Sequence, residues 1–188
     1  MRIISGSNKG KKLIMPNDKT TRPLKDMAKE SVFNILTHAK YVNFRLKDSK
    51  VLDLFSGIGS FGLECISRGS KFVFFLENYP PTLKILKINI SNLKYENKSK
   101  VIDIDAFKIN NNIFEKEQKF QMIFCDPPYK EKKIELLIEN IIEMDILEKN
   151  GIIIIHRKKG ALDTYPNKFE VIDKKTYGLS TFVFGRSN

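Results

Sequence analysis

The chain alternates between short apolar runs and stretches whose apolar positions recur every three or four residues. Apolar runs rich in Val, Ile and Phe predict buried strands, and the segments with the longer period predict helices. The predicted strands are KVLDLF, KFVFFLE, KVIDID, FQMIFCD and GIIIIH. The helices predicted around them are SFGLECISRG, PPTLKILKINISNL and KKIELLIENIIEMDIL. This alternation predicts βαβ units and a mostly parallel sheet that is covered on both faces.

Both ends of the chain add smaller elements to this pattern. FEVIDKKTYG and STFVFG are two further strands joined tightly through Gly178, which predicts an antiparallel hairpin. RIIS and KKLIM flank the turn-forming GSNKG and predict an N-terminal hairpin, and residues 24–36 have a helical period after Pro23. The predicted class is α/β, with an N-terminal hairpin and helix extension at residues 1–40 and the main domain at residues 41–188.

A glycine pattern follows the first of these strands where a helix begins. Gly57, Gly59 and Gly62 have the spacing of a dinucleotide-binding loop, and the strand–loop–helix context indicates a nucleotide-like ligand. Asp53 ends the preceding strand, where a carboxylate disfavours a pyrophosphate and suits an ammonium group. S-adenosylmethionine carries ammonium and sulfonium cations and no phosphate, so it fits this loop better than a dinucleotide. Gly62 then becomes a helix-packing residue.

Two further acidic residues follow the next two strands. Glu77 lies where a carboxylate can accept hydrogen bonds from both hydroxyls of a ribose. Asp105 can accept a hydrogen bond from an adenine amino group, while the Ala106 amide can donate to the ring. For any one of these acids alone, a capping or solvated loop residue is the better interpretation. Ligands of open α/β sheets bind beyond the carboxyl ends of the strands, so the three acids together predict one pocket.

The sequence DPPY, residues Asp126, Pro127, Pro128 and Tyr129, directly follows FQMIFC. The prolines fix φ and remove two backbone donors, which leaves the Pro127 carbonyl and the Asp126 carboxylate as acceptors. Tyr129 offers a flat face on which an unstacked base can lie. This set suits methylation of an exocyclic amine, because a carboxylate stabilises the charge that develops on nitrogen and can take its proton. The alternative is an ordinary turn at the end of a strand.

Charge is concentrated at one end of the chain. The formal net charge is +11, and residues 1–50 carry 12 Lys and Arg against 4 Asp and Glu, which leaves +3 for the other 138 residues. A basic segment on a near-neutral body is typical of nucleic-acid binding. No apolar run approaches the ~18 residues of a membrane span, and no signal-peptide pattern is present. Cys65 and Cys125 lie in apolar surroundings, as expected of free thiols in a cytoplasmic protein without a metal site.

The glycine loop and the DPPY turn together resemble the signature of S-adenosylmethionine-dependent amino-methyltransferases. VLDLFSGIGSFGLE and DPPY carry that resemblance, and MRIISGSNKGKKL with TRPLKDMAKESVFNIL is more specific. These N-terminal stretches are similar to the RsmD family, bacterial enzymes that methylate guanine N2 in small-subunit ribosomal RNA. The resemblance extends from Met1 to the closing YGLSTFVFG. It implies a Rossmann-like class I methyltransferase fold with a seven-stranded sheet.

The resemblance also implies a role for each matching residue. The residues expected to bind S-adenosylmethionine are Asp53, Phe55, Gly57, Gly59, Glu77, Asn78, Asp105, Ala106, Arg22 and Pro23. The expected catalytic residues are Asp126, Pro127 and Tyr129. The residues expected to bind RNA are Lys9, Lys11, Lys12, Arg22, Lys25 and Lys29. Thr21 is expected beside Arg22 at the entrance, and Met27 stands where the family often carries a basic residue.

Four functions are compatible with these observations. The first is methylation of guanine N2 in small-subunit rRNA. The resemblance implies that the substrate is an assembled ribosomal subunit. The enzyme is expected to be a monomer. An adenine-N6 methyltransferase on DNA or RNA is the alternative, because DPPY also serves that amine. A nicotinamide-dependent oxidoreductase leaves DPPY unexplained, and a non-catalytic RNA-binding module leaves the acids unexplained. His156 is interpreted as structural or RNA-adjacent, and Arg157, Lys158 and Lys159 as an extension of the basic surface.

Overall fold

A computed structural model describes residues 1–16, 26–128 and 130–188. Seven strands form one sheet: β1 Lys50–Leu54, β2 Phe72–Leu76, β3 Ser99–Ile102, β4 Phe120–Cys125, β5 Leu147–Lys158, β6 Phe169–Tyr177 and β7 Ser180–Ser187. The α-helices are α1 Asp26–His38, α2 Ser60–Ser67, α3 Pro80–Asn92 and α4 Ile134–Glu143. Short 3-10 turns cover Glu96–Lys98, Ala106–Lys108 and Asn111–Ile113.

The strand order explains where a ligand can bind. The sheet runs β3-β2-β1-β4-β5-β7-β6, and the first five of these strands are parallel. β7 lies antiparallel between β5 and β6, which confirms the predicted C-terminal hairpin and the mostly parallel α/β sheet. The chain reverses its direction of strand addition between β1 and β4, and such a switch point opens a crevice beyond the carboxyl ends of the strands.

The core lies on both faces of the sheet. Ile152 and Ile154 of β5 pack in the cluster that contains the apolar residues of α1, α2 and α3. Ile153 and Ile155 pack on the other face with the apolar residues of α4. Successive strand residues point to opposite faces, so this alternation accounts for the unbroken apolar run GIIIIH. Cys65 and Cys125 are buried free thiols, as predicted, and burial raises the pKa of each.

The N-terminal hairpin is small and lies against α2 and α3. Arg2 and Lys12 pair antiparallel across it, which confirms the predicted hairpin. The main-chain groups of Ile14 bond to the side chain of Asn89 in α3 at 2.8 and 3.1 Å. A Cβ at Gly6 would come within 1.8 Å of the Ser67 carbonyl oxygen, so only glycine allows this approach to α2.

Two boundaries differ from the sequence prediction. α4 ends at Glu143 instead of continuing through MDIL, because Asp145 adopts a left-handed φ of 51° that a helix cannot continue through. β5 then begins at Leu147 and is longer than GIIIIH. No helix in the three described ranges is long and apolar enough to cross a bilayer.

Candidate active site

Asp53 lies in the centre of the sheet and is almost completely buried. Its neighbours across the ladder are Phe75 in β2 and Phe124 in β4, and only 1% of the residue is exposed. The Gly62 N–H donates to Asp53 Oδ2 at 2.9 Å. Burial raises the pKa of Asp53 well above its usual value, and the charges of Asp126 and Glu77 raise it further. Glu77 and Asp126 follow β2 and β4, the two neighbours of β1, so the three carboxyl groups lie at the carboxyl end of adjacent strands.

The glycine loop connects β1 to α2 and is hydrogen-bonded to the residue that follows β2. Gly57 and Gly59 have φ angles of 56° and 85°, a region that glycine enters without steric cost. The Gly57 N–H donates to Glu77 Oε2 at 2.8 Å, and the Tyr79 N–H donates to Oε1 at 2.7 Å. Glu77 is therefore held in a fixed position beside the loop, as the prediction of a shared pocket requires.

Gly62 packs against the sheet, as the sequence analysis expected. A Cβ on this residue would lie 2.3 Å from Phe75 Cε1 and 2.9 Å from Asp53 Oδ2. The first turn of α2 can approach the sheet this closely only because the residue lacks a side chain. The third glycine of the pattern thus serves helix–strand packing.

Two aromatic residues connect the loops after β1 and β3. Phe55 has a φ of 59°, which is uncommon for a residue with a side chain and marks a constrained position. Its ring lies 5.3 Å from that of Phe107 at an angle of 56°. Asp105 Oδ1 accepts from the Phe107 N–H at 3.0 Å and caps the short turn that contains the buried Ala106. Asn78, by contrast, is exposed at the end of β2.

Asp126 directly follows β4 and stands beside the loop after β1. Its N–H donates to the Leu54 carbonyl at 3.4 Å, and 24% of its side chain is exposed. Asp126 Oδ1 lies 2.7 Å from Nδ1 of His156 at the end of β5. Pro127 is buried, whereas Tyr129 lies outside the described residues. The contact of His156 with Asp126 was not predicted, although His156 has the same parity along β5 as Ile152 and Ile154 and so lies on the same face of the sheet.

The expectation that Arg157 extends a basic surface is wrong, whereas Lys158 and Lys159 beside it are exposed as expected. The side chain of Arg157 is only 5% exposed and forms two bonds of 2.9 Å with the carboxylate of Asp163. It also donates to the carbonyl oxygens of Glu131 at 2.7 Å and Pro128 at 3.4 Å. Arg157 therefore fixes the loop that follows DPPY instead of facing solvent.

The predicted RNA-binding residues fall into three groups. Lys9, Lys11 and Lys12 are exposed on the N-terminal hairpin. The predictions for Arg22 and Lys25, like those for Thr21 and Pro23, lie outside the described residues. The prediction for Lys29 is wrong, because its side chain is 0% exposed and cannot reach a phosphate. Exposed Met27 lies on the opposite face of α1.

Lys29 instead belongs to a buried charge cluster. Its Nζ lies 3.3 Å from Glu64 Oε2 and donates to the Arg2 carbonyl at 3.0 Å. Glu64 also accepts from the N–H groups of Ile4 and Ser5 at 2.7 and 2.9 Å. Desolvation lowers the pKa of Lys29, and the charge of Glu64 opposes that shift. This cluster ties the hairpin to α1 and α2.

Within the described parts of the chain, no group of three His, Cys, Asp or Glu side chains is placed to hold a metal ion. The chemical groups gathered at the crevice are instead carboxylates, backbone N–H groups and aromatic rings. Such a set suits an organic ligand that carries positive charge and hydroxyl groups.

Comparison with known proteins gives matches over nearly the whole chain. The sequence profile of the family described as "Conserved hypothetical protein 95" matches residues 1–186. The chain is 34% identical to the "Putative rRNA methyltransferase YlbH" of Bacillus subtilis, over 96% of this chain and 95% of that protein. It is 32% identical to the "Ribosomal RNA small subunit methyltransferase D" of Haemophilus influenzae, over 97% and 91%. The solved structure described as "Putative methyltransferase yhhF from Escherichia coli" superimposes with a TM-score of 0.81 and 25% identity, covering 100% of this chain and 97% of that one.

Proposed function

The chain belongs to the RsmD family and has the class I methyltransferase fold, and from this membership we propose that it methylates the exocyclic N2 amine of a guanine in small-subunit ribosomal RNA. The methyl donor is S-adenosylmethionine. The observation that carries the proposal is the position of Asp126, which directly follows β4 and bonds through its N–H to Leu54 of β1, the strand that carries Asp53.

The charge of the crevice suits this cofactor. Asp53, Glu77 and Asp126 lie at or just after the ends of β1, β2 and β4, so carboxylates bring negative charge to the crevice. That charge would repel a pyrophosphate and attract an ammonium or sulfonium group, which disfavours a nicotinamide dinucleotide. Asp53 would bind the ammonium group, and Gly57 and Gly59 would give the main chain close access to the carboxylate.

The remaining cofactor contacts follow the order of the strands. Glu77 and Asn78 would bind the ribose at the end of β2, where the carboxylate is already held by two N–H groups. Asp105 and Ala106 would bind the adenine, with Phe55 beside them. Arg22 and Pro23 remain proposed for the entrance.

Asp126 performs the chemistry in this proposal. When bound, the cofactor supplies an electrophilic methyl group on its sulfonium. The Asp126 carboxylate and the Pro127 carbonyl accept hydrogen bonds from the two N–H groups of the target amine, which directs the lone pair of its nitrogen at that methyl group. As the new N–C bond forms, the bond from the methyl carbon to sulfur would break and leave a neutral thioether, while Asp126 stabilises the positive charge on nitrogen and accepts the proton. Tyr129 would stack on the unstacked guanine.

The N-terminal segment would bind the RNA. Lys9, Lys11 and Lys12 are exposed on a hairpin that is anchored to α2 and α3 on the same face of the sheet as α1. We assign RNA binding to residues 1–40, with Arg22 and Lys25 as further contacts, and methyl transfer to residues 41–188. The substrate would be rRNA within an assembled small subunit, and the enzyme would act as a monomer.

Replacement of Asp126 tests the proposal. We expect Asp126→Ala to lower methyl transfer to small-subunit rRNA by at least roughly 100-fold, because the acceptor of the proton is lost. Calorimetry should show S-adenosylmethionine binding within about twofold of the wild type, since the carboxylates that hold the cofactor remain. The matched control is Asp103→Ala, an exposed acid outside the proposed contacts. Normal turnover of Asp126→Ala would exclude this mechanism, and labelled N6-methyladenosine as the product would support the adenine alternative.

A further inference from the structure

Two consecutive residues of β5, His156 and Arg157, contact residues in and just after the DPPY sequence. His156 contacts the Asp126 carboxylate, and Arg157 donates to the Pro128 and Glu131 carbonyls. Adjacent strand residues point to opposite faces of a sheet, so the segment is held from both faces. No role in the proposed function has been given to either side chain.

The ring of His156 is fixed in its orientation. It is stacked on Phe182 of β7 with the centroids 4.7 Å apart and an interplanar angle of 16°. Only 3% of the residue is exposed, so water does not compete for the contact between Nδ1 and Asp126 Oδ1 at 2.7 Å. A carboxylate is an acceptor only, so Nδ1–H donates in this bond. Because the His156 ring is packed against Phe182, its contact with Oδ1 restricts the rotation of the Asp126 carboxylate.

Arg157 fixes the other end of the same segment. Its guanidinium is aligned by two bonds to the Asp163 carboxylate, and from there it reaches two carbonyl oxygens of the loop. Paired and planar contacts of this kind restrict both position and orientation. The loop after Asp126 is therefore fixed in relation to β5.

We propose that His156 and Arg157 are positioning residues that set the geometry of the target-amine site. This inference rests on the proposed function of Asp126. His156 engages Oδ1, which leaves Oδ2 to accept the amine proton. Arg157 bonds to the carbonyls of Pro128 and Glu131 and so fixes the segment that carries the Pro127 carbonyl. Small displacements of aligned groups are costly in methyl transfer, since the nitrogen, carbon and sulfur atoms must be collinear.

Variants of His156 give the decisive experiment. We expect His156→Ala to lower kcat by roughly 10- to 100-fold through loss of carboxylate orientation, with S-adenosylmethionine Kd within about twofold. His156→Asn places an N–H near the position of Nδ1 and should recover most of kcat, whereas His156→Gln places it near Nε2 and should not. The matched control is Asn167→Ala, which removes an exposed polar side chain before β6, outside all proposed contacts, and should leave kcat unchanged.

The outcomes separate this inference from the proposed function. If Asp126→Asn is inactive but His156→Ala and His156→Gln keep wild-type kcat, the positioning role is wrong and the function stands. If Asp126→Asn keeps wild-type kcat, the proposed mechanism itself is wrong. In the Asp126→Asn background, adding His156→Ala should cause no further loss, because the carboxylate that it orients is gone. If His156→Ala does not fold, the comparison of the Asn and Gln variants decides, and equal kcat values for these two would overturn the inference.

Discussion

The buried cluster around Glu64 offers a quantitative test of the fold. Glu64 is fully buried and accepts hydrogen bonds from Ile4, Ser5 and Arg68, while Lys29 lies 3.3 Å away with no exposed surface. At that separation and an effective dielectric constant of about 20, the attraction between Lys29 and Glu64 amounts to about 5 kcal/mol. Glu64→Gln removes the charge but keeps the shape and one acceptor oxygen.

We expect Glu64→Gln to lower the free energy of unfolding by about 3–5 kcal/mol, because it leaves a buried ammonium group without a countercharge. Arg68 adds little to this loss, since its partly exposed side chain can turn toward water. Equilibrium urea denaturation followed by circular dichroism would measure the change. The effect is a large fraction of the ~5–15 kcal/mol by which a domain of this kind is stable.

Two further variants make the test specific. Glu30→Gln is the same substitution on the exposed face of α1, and its midpoint should equal that of the wild type within the error of the measurement. Adding Lys29→Met to Glu64→Gln should restore part of the lost stability, because the orphaned charge is removed. The reasoning would be refuted if Glu64→Gln unfolded at the same urea concentration as Glu30→Gln.

Two other predictions concern the ligands. Because burial raises the pKa of Asp53, the folded protein retains a proton there above pH 3.8, where the unfolded chain has lost it. An ammonium group favours the ionised carboxylate. Binding of S-adenosylmethionine should therefore release a proton between pH 3.8 and the raised pKa of Asp53, and binding should tighten as pH rises through that range. Calorimetry in buffers of different ionisation enthalpy would detect this release, and Asp53→Asn should abolish it. Replacing Lys9, Lys11 and Lys12 with Gln should weaken RNA binding and reduce the salt slope by about 2 to 3, one phosphate for each lysine.

Each of these predictions has a clear contrary result. Equal proton release by the wild type and Asp53→Asn would show that another group titrates on cofactor binding. For the RNA prediction, the control replaces the exposed Lys174 and Lys175 on β6, at the far edge of the sheet from β3. An equal loss of RNA affinity from this control would mean that net charge, and not the hairpin, determines binding.

Much of the fold could be predicted because its signals are local. The apolar run GIIIIH predicted a buried strand, which is part of β5. The turn at Gly178 predicted an antiparallel hairpin, which the pairing of β6 with β7 confirms. The predicted end of α4 was wrong because MDIL keeps an apolar pattern that is compatible with both helix and strand. The left-handed φ of Asp145, which ends the helix, has no signature in the sequence.

The side-chain environment of charged residues was harder to predict. Lys29 was predicted to bind RNA from the family resemblance, although its spacing to Val32, Phe33 and Leu36 places it on the buried face of α1. Glu64, the partner that makes this burial possible, lies on another helix, and only tertiary structure brings the two together. Arg157 was misassigned for the same reason, since its contacts come from residues 128–131 and Asp163.

The identity of the methylated nucleoside tests the central claim most directly. Small-subunit rRNA would be incubated, as free RNA and as assembled particles, with the protein and S-adenosylmethionine labelled in the methyl group, then digested to nucleosides and separated. We predict that the label appears as N2-methylguanosine and that assembled particles receive more label than free RNA. Asp126→Ala should lower the labelling by at least roughly 100-fold. Label recovered as N6-methyladenosine, or no transfer to either form of the small-subunit rRNA, would contradict the account.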